Sequence, residues 1–158
     1  MAFITVSVCD TIDTSANDVW NTLRAFVWNE KFNPLVSTSM LEGTNTVRIG
    51  CKRICNVSLD SDENLLRTEE VLDFLDDMNR TMTYSVLNAP GTLFEGLVNK
   101  IEVVSLPDDK SQVTFTGTMS EKNDNDEQMK KVILTSTYHK ILNGLKKLHS
   151  VWRHRRCN

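Results

Sequence analysis

Apolar positions recur along the chain with different spacings, and each spacing predicts an element. From Phe3 to Val8 apolar and small polar residues alternate with β-branched content, the pattern of a strand. Ser15 followed three residues later by Asp18 is an N-cap signal, and Val19, Trp20, Leu23 and Phe26 behind it carry helical spacing. A second short helix is expected from Trp28 to Phe32, ending before Pro34 because the residue ahead of a proline is pushed out of the helical region. From Val36 to Glu121 the period drops to two and is broken by turn signals such as Glu42-Gly43-Thr44-Asn45, Asp76-Asp77-Met78-Asn79 and Pro107-Asp108-Asp109-Lys110. This segment reads as six short-linked strands in an antiparallel meander. Leu134, Tyr138, Ile141, Leu145, Leu148 and Trp152 then fall on one helical face with His139, Asn143 and Lys147 opposite, predicting one long amphipathic helix from near Asp126. The fold class expected is α+β: a curved antiparallel sheet of seven strands, two short helices, and a long C-terminal helix whose apolar stripe covers the concave face.

Composition narrows the classes without choosing among them. The 158 residues are 40% hydrophobic and 25% charged, enough for one core, so 1–158 is expected to be a single domain with a basic tail from about residue 150. A net charge of −3, with basic residues gathered only in Trp152-Arg153-His154-Arg155-Arg156, argues against nucleic acid as a partner. The opening MAFITVSVCD has neither a basic n-region nor a long apolar run, so neither a signal peptide nor a membrane span is expected and the location expected is cytoplasmic. Cys9, Cys51, Cys55 and Cys157 are irregularly spaced and lack a second Cys/His pair, which reads as reduced structural thiols with no metal and no cofactor. Asp73, Asp76 and Asp77 read as hairpin charges, Asp124 to Glu127 as a helix N-terminus, and His139, His149 and His154 as surface residues.

The stretch Val47 to Cys55, VRIGCKRIC, poses a chemical question. On a strand, Cys51, Arg53 and Cys55 share one side, so that face either meets water or finds a partner for a guanidinium inside. The order of elements, with Asp18-Val19-Trp20 opening the first helix, then VRIGCKR, Glu70-Val71-Leu72-Asp73-Phe74-Leu75-Asp76-Asp77 and Tyr84-Ser85-Val86, resembles the START-like helix-grip superfamily. Within it the chain is similar to the polyketide cyclase/dehydrase type, the abscisic acid receptors and the birch pollen allergens. The resemblance runs from about Val6 to Leu148 and implies a pocket between sheet and long helix for hydrophobic or amphipathic molecules. It implies a gate at Ser58 to Asp62 and a latch at Asn88 to Leu93, both also places for a protein partner at loops 58–64 and 88–93. It sends Cys51, Arg53, Cys55 and Val57 inward, and the receptors' carboxylate-binding lysine corresponds to Ser37.

Strand parity anchored on Leu72/Phe74, Met82/Tyr84/Val86 and Leu97/Ile101/Val103 adds Glu70, Glu95 and Asn99 to the inward side. Together these residues describe a polar patch of Arg53, Glu70, Tyr84, Glu95 and Asn99. The pocket around it would be lined by Ser37, Ser39, Leu72, Val86, Leu97, Tyr138, Ile141 and Leu145, with Leu93 at the latch. Three alternatives stand: Arg53 and Glu70 serve a ligand, they form a structural ion pair, or a bulge at Gly50 turns Arg53 to solvent. Function divides in the same way. The first reading is a protein that binds a small hydrophobic molecule such as a lipid, polyketide or aromatic metabolite. The second is a cyclase, dehydratase or condensing enzyme with Glu70 or Glu95 as base and Tyr84 as donor. The third is an interaction module with a collapsed cavity. Gly144, mid-helix and about 1 kcal/mol worse than alanine there, suggests a side chain at that point would intrude on pocket or sheet.

Overall fold

The computed structural model of the protein describes residues 3–28, 30–58, 66–90, 94–120 and 127–156. Strand β1 (Phe3–Ile12) leads to α1 (Ala16–Arg24) and then to β2 (Val36–Leu41), β3 (Lys52–Val57), β4 (Leu66–Asp76), β5 (Thr81–Asn88), β6 (Val98–Leu106) and β7 (Lys110–Ser120). The long α2 (Glu127–Arg156) closes the chain. The strands form one antiparallel sheet in the order β1-β7-β6-β5-β4-β3-β2, so the meander runs unbroken and β1 returns to pair beside β7. This is the helix-grip layout that the sequence predicts.

Local chemistry sets the boundaries. Ser15 caps α1 by accepting from the Asp18 amide at 3.2 Å. The helix stops where Phe26 enters the left-handed region at φ 61, a conformation unusual for a bulky residue, with its amide bonded to the Leu23 carbonyl. The segment expected as a second short helix is a run of turns over 30–32, and Asn29 lies outside the described residues. There Trp28 spends its indole N–H on the Leu23 carbonyl at 3.0 Å, and Asn33 caps the turn by accepting from the Leu35 amide. Between β6 and β7 the three-residue loop 107–109 turns the chain, with Asp108 and Asp109 both at positive φ. Asp76 holds the β4–β5 turn by accepting from the amides of Met78 and Asn79, each at 3.0 Å.

Two of the shifts in strand pairing among the described residues redirect side chains expected inside. The pairing of β4 with β5 slips between Leu72 and Phe74, so Leu72 is fully buried while Phe74, expected on the same face, is 45% exposed. The pairing of β2 with β3 slips between Val36 and Thr38, which turns Val36 inward and Ser37 out.

Helix α2 packs on β1 and β7 with Leu134, Tyr138, Ile141, Leu142 and Leu145 buried beneath it and His139, Asn143 and Lys147 in solvent. Gly144 is explained by close approach of backbone rather than by pocket or sheet: a Cβ there would overlap the Phe32 carbonyl. Gly117 on β7 makes room for side chains instead, since a Cβ there would overlap the Tyr138 hydroxyl and Leu134. His149, expected at the surface, is buried at 3% exposure with Nε2 3.2 Å from the Thr22 hydroxyl of α1. Thr22 gives its proton to the Asp18 carbonyl, so its oxygen is left to accept from a neutral imidazole.

Burial pushes His149 below its ordinary 6.5, against the opposing pull of Asp18. The unfolded chain binds the proton more readily, so the stability due to the docked neutral imidazole is complete above about 6.5 and lost as pH falls below it. Thermal unfolding measured down that range should show a drop in melting temperature that His149→Gln reduces; parallel curves for the two proteins would refute it.

Candidate functional site

Beneath α2 the concave face of the sheet does not fill completely. A cavity remains that offers about 100 Å³ to the centres of water-sized molecules, several times the roughly 10–15 Å³ that one water needs. Its walls come from β3 to β6, from α2 through Leu134, Thr137, Tyr138 and Ile141, and from the 28–36 segment through Trp28, Asn33, Leu35 and Val36. Arg53 and Glu70 are the charged side chains among the described residues that line it.

Arg53 is the anchor of the polar wall. Alternation on β3 aims it inward between Cys51 and Cys55, and Gly50, with φ 89, precedes the strand without reversing its faces. Its side chain is 3% exposed. Nε donates to Glu70 Oε2, directly across the β3–β4 pair, and Nη1 donates to the Phe26 carbonyl at 2.6 Å. The guanidinium carbon also lies 4.2 Å from the ring centres of Phe26 and Trp28 and 4.7 Å from that of Tyr84. Burial by itself would favour loss of the charge, but Glu70, with smaller help from Cys55 and Tyr84, outweighs it, and together they hold the guanidinium more firmly protonated than usual. The same side chain therefore ties β3, β4, β5 and the strained turn after α1 together.

The remaining polar groups stay protonated and neutral at physiological pH. Burial raises the Tyr84 phenol well above its ordinary 10 even though Arg53 pulls the other way, and burial raises Tyr138 likewise. Tyr138 donates to Asn99 Oδ1 at 2.5 Å, its hydroxyl lying over Gly117 where β6 and β7 pair. Burial also lifts the Cys55 thiol, which donates to Ser39 at 3.4 Å. Thr68, on the strand position facing Cys55, is 8% exposed and its hydroxyl has no hydrogen-bond partner.

Of the residues expected in the pocket, Arg53, Cys55, Val57, Glu70, Tyr84, Val86, Leu97, Asn99, Tyr138 and Ile141 line the cavity. Leu72 and Leu145 are fully buried core residues away from it, and Ser39 is a half-buried partner of Cys55. Ser37 is exposed and donates to the Asn56 carbonyl, because the β2 bulge spoils its parity. Glu95 is also exposed: Gly96, at φ 81, turns the chain before β6 begins, so the inward parity of Leu97 and Asn99 does not reach back to it. Leu93, the gate loop beyond Ser58 and the 91–93 part of the latch lie outside the described residues. Sequence reasoning missed Trp28, which it placed on a helix, and Thr68, which follows from the same parity as Glu70 and Leu72.

Among the described residues no group of three or more His, Cys, Asp or Glu side chains is placed to hold a metal ion, and no helix is long and apolar enough to cross a membrane. No protein-family model and no curated protein match the chain. Solved structures do share its architecture. A protein from Nitrosospira multiformis is 16% identical with a TM-score of 0.72, the match covering 90% of this chain and 93% of that one. The protein XoxI from Bacillus cereus is 21% identical with a TM-score of 0.71, covering 91% and 94%. An uncharacterized protein from Bacillus thuringiensis is 20% identical with a TM-score of 0.69, covering 90% and 96%. At these identities the likeness speaks for the fold alone.

Proposed function

We propose that the chain is a START-like protein that binds a small hydrophobic or amphipathic molecule, of the lipid, polyketide or aromatic metabolite kind, between the sheet and α2. The observation that carries this reading is the cavity itself: open room under a long helix, walled mostly by apolar side chains with one charge pair among them. Arg53, Glu70, Tyr84 and Asn99 then mark the polar end, and Val86, Leu97 and Ile141 the apolar one. A cyclase or dehydratase would need a carboxylate free to take a proton, and the two candidates are poorly suited. Glu70 has Oε2 committed to Arg53, and Glu95 lies in solvent. A module with a collapsed cavity accords less well with the room that remains.

Ile141 offers the test, because its side chain projects from α2 into the cavity wall. Ile141→Trp should abolish uptake of whatever hydrophobic molecule the wild-type protein takes up, with the circular dichroism spectrum and cooperative unfolding retained. Undiminished uptake by the folded variant would refute binding at this place.

A further inference from the structure

Resting on that reading, we infer that the cavity takes an uncharged ligand, an apolar skeleton whose hydroxyl or carbonyl is met by the Thr68 hydroxyl, and that it discriminates against ionised molecules of the same shape. Two observations lead there. The charges on the wall cancel: Arg53 is matched by Glu70, and the guanidinium is further occupied by the Phe26 carbonyl and the three surrounding rings. A ligand that brought a carboxylate or an ammonium would carry into the cavity a charge with no counter-ion left for it among the described lining residues, and burying such a charge is heavily unfavourable.

The second observation is the hydroxyl. A buried hydroxyl without a partner is rare because its desolvation goes uncompensated. Thr68 Oγ1 and Ser111 Oγ are two such atoms, and of their residues Thr68 lines the cavity while Ser111 lies on β7 away from it. Cys55, across the strand pair, offers the Thr68 hydroxyl only its sulfur, a weak acceptor whose own proton goes to Ser39. A hydroxyl group can donate or accept, so it serves an alcohol and a carbonyl alike. On β6, Asn99 spends Oδ1 on Tyr138, which leaves its amide nitrogen as a further donor among the lining residues.

The test uses three probes with one chain and three headgroups, 1-octanol, octanoate and octylammonium, titrated calorimetrically into the whole protein at neutral pH, where the last two are ionised. The alcohol should bind at least about tenfold tighter than either ion. Thr68→Val should weaken the alcohol about fivefold or more with melting temperature kept or raised, whereas Thr68→Ser, which retains the hydroxyl, should keep the preference. An ion that binds as tightly as the alcohol overturns the inference and leaves the cavity reading intact. A valine variant that binds the alcohol like wild type overturns the role of Thr68. Binding of none of the three to the folded protein overturns the cavity reading and this inference with it.

Discussion

Arg53→Ala lowers the free energy of unfolding by about 3–5 kcal/mol, the scale for removing one member of a buried ion pair. Three losses add up in one place. Glu70, whose side chain is 14% exposed, keeps a carboxylate with its partner gone. The Phe26 carbonyl loses its donor while Phe26 itself remains at positive φ, a backbone state that costs on the order of 1 kcal/mol or more and needs its surroundings to hold it. The rings of Phe26, Trp28 and Tyr84 are left around a void. Urea unfolding of the variant measures the sum. The double change Arg53→Met with Glu70→Leu should recover a substantial part, because exchanging a buried pair for apolar groups of similar volume is often neutral. A single-variant loss within about 0.5 kcal/mol, the range of surface substitutions, would contradict the arrangement.

Gly144→Ala is the second large effect, and its sign runs against helix propensity. Alanine in a helix interior is worth about 1 kcal/mol over glycine, so an exposed site would gain by the change. Here the new methyl overlaps the main-chain carbonyl of Phe32, and a backbone group cannot swing aside as the end of a side chain can. Relief requires α2 to lift from the 30–33 turn. That movement would also loosen the contact of Phe32 with Trp28, whose ring centres are 5.6 Å apart. The expected net loss is about 2–3 kcal/mol, the upper part of the overpacking range. A more stable variant would contradict the close approach of helix and turn.

How much of this was legible in the sequence depends on whether the information was local. The stripe from Leu134 to Leu145 and the two-residue period of the meander are each written into a short window, and both elements are present as expected. Parity along β5 gave Met82, Tyr84 and Val86 their inward face for the same reason. Parity failed where the backbone inserts or turns: Phe74 follows a slip in β4, Ser37 a bulge in β2, and Glu95 the Gly96 turn. The slips in β4 and β2 have no strong local signature, since Asp73 and Ser37 are ordinary strand residues, whereas Gly96 is itself a turn signal that parity counting passed over. The purpose of Gly144 was hidden because its neighbour is more than a hundred residues away in the chain. His149 was misplaced because the Lys146-Lys147 context suggests solvent, whereas one turn further on the helix meets α1. Arg53 is the instructive case. Alternation placed it on one side with Cys51 and Cys55, the family resemblance turned that side inward, and an inward guanidinium then called for a carboxylate, which Glu70 supplies from the adjacent strand.

The central claim is that the space under α2 is a binding site. Native mass spectrometry of the purified protein, followed by denaturing extraction, tests it most directly. The expected result is a population heavier than the bare chain by the mass of a small molecule, released on denaturation, apolar and uncharged, and absent from Ile141→Trp. A retained molecule carried equally by wild type and by the folded, cavity-blocked variant would contradict it.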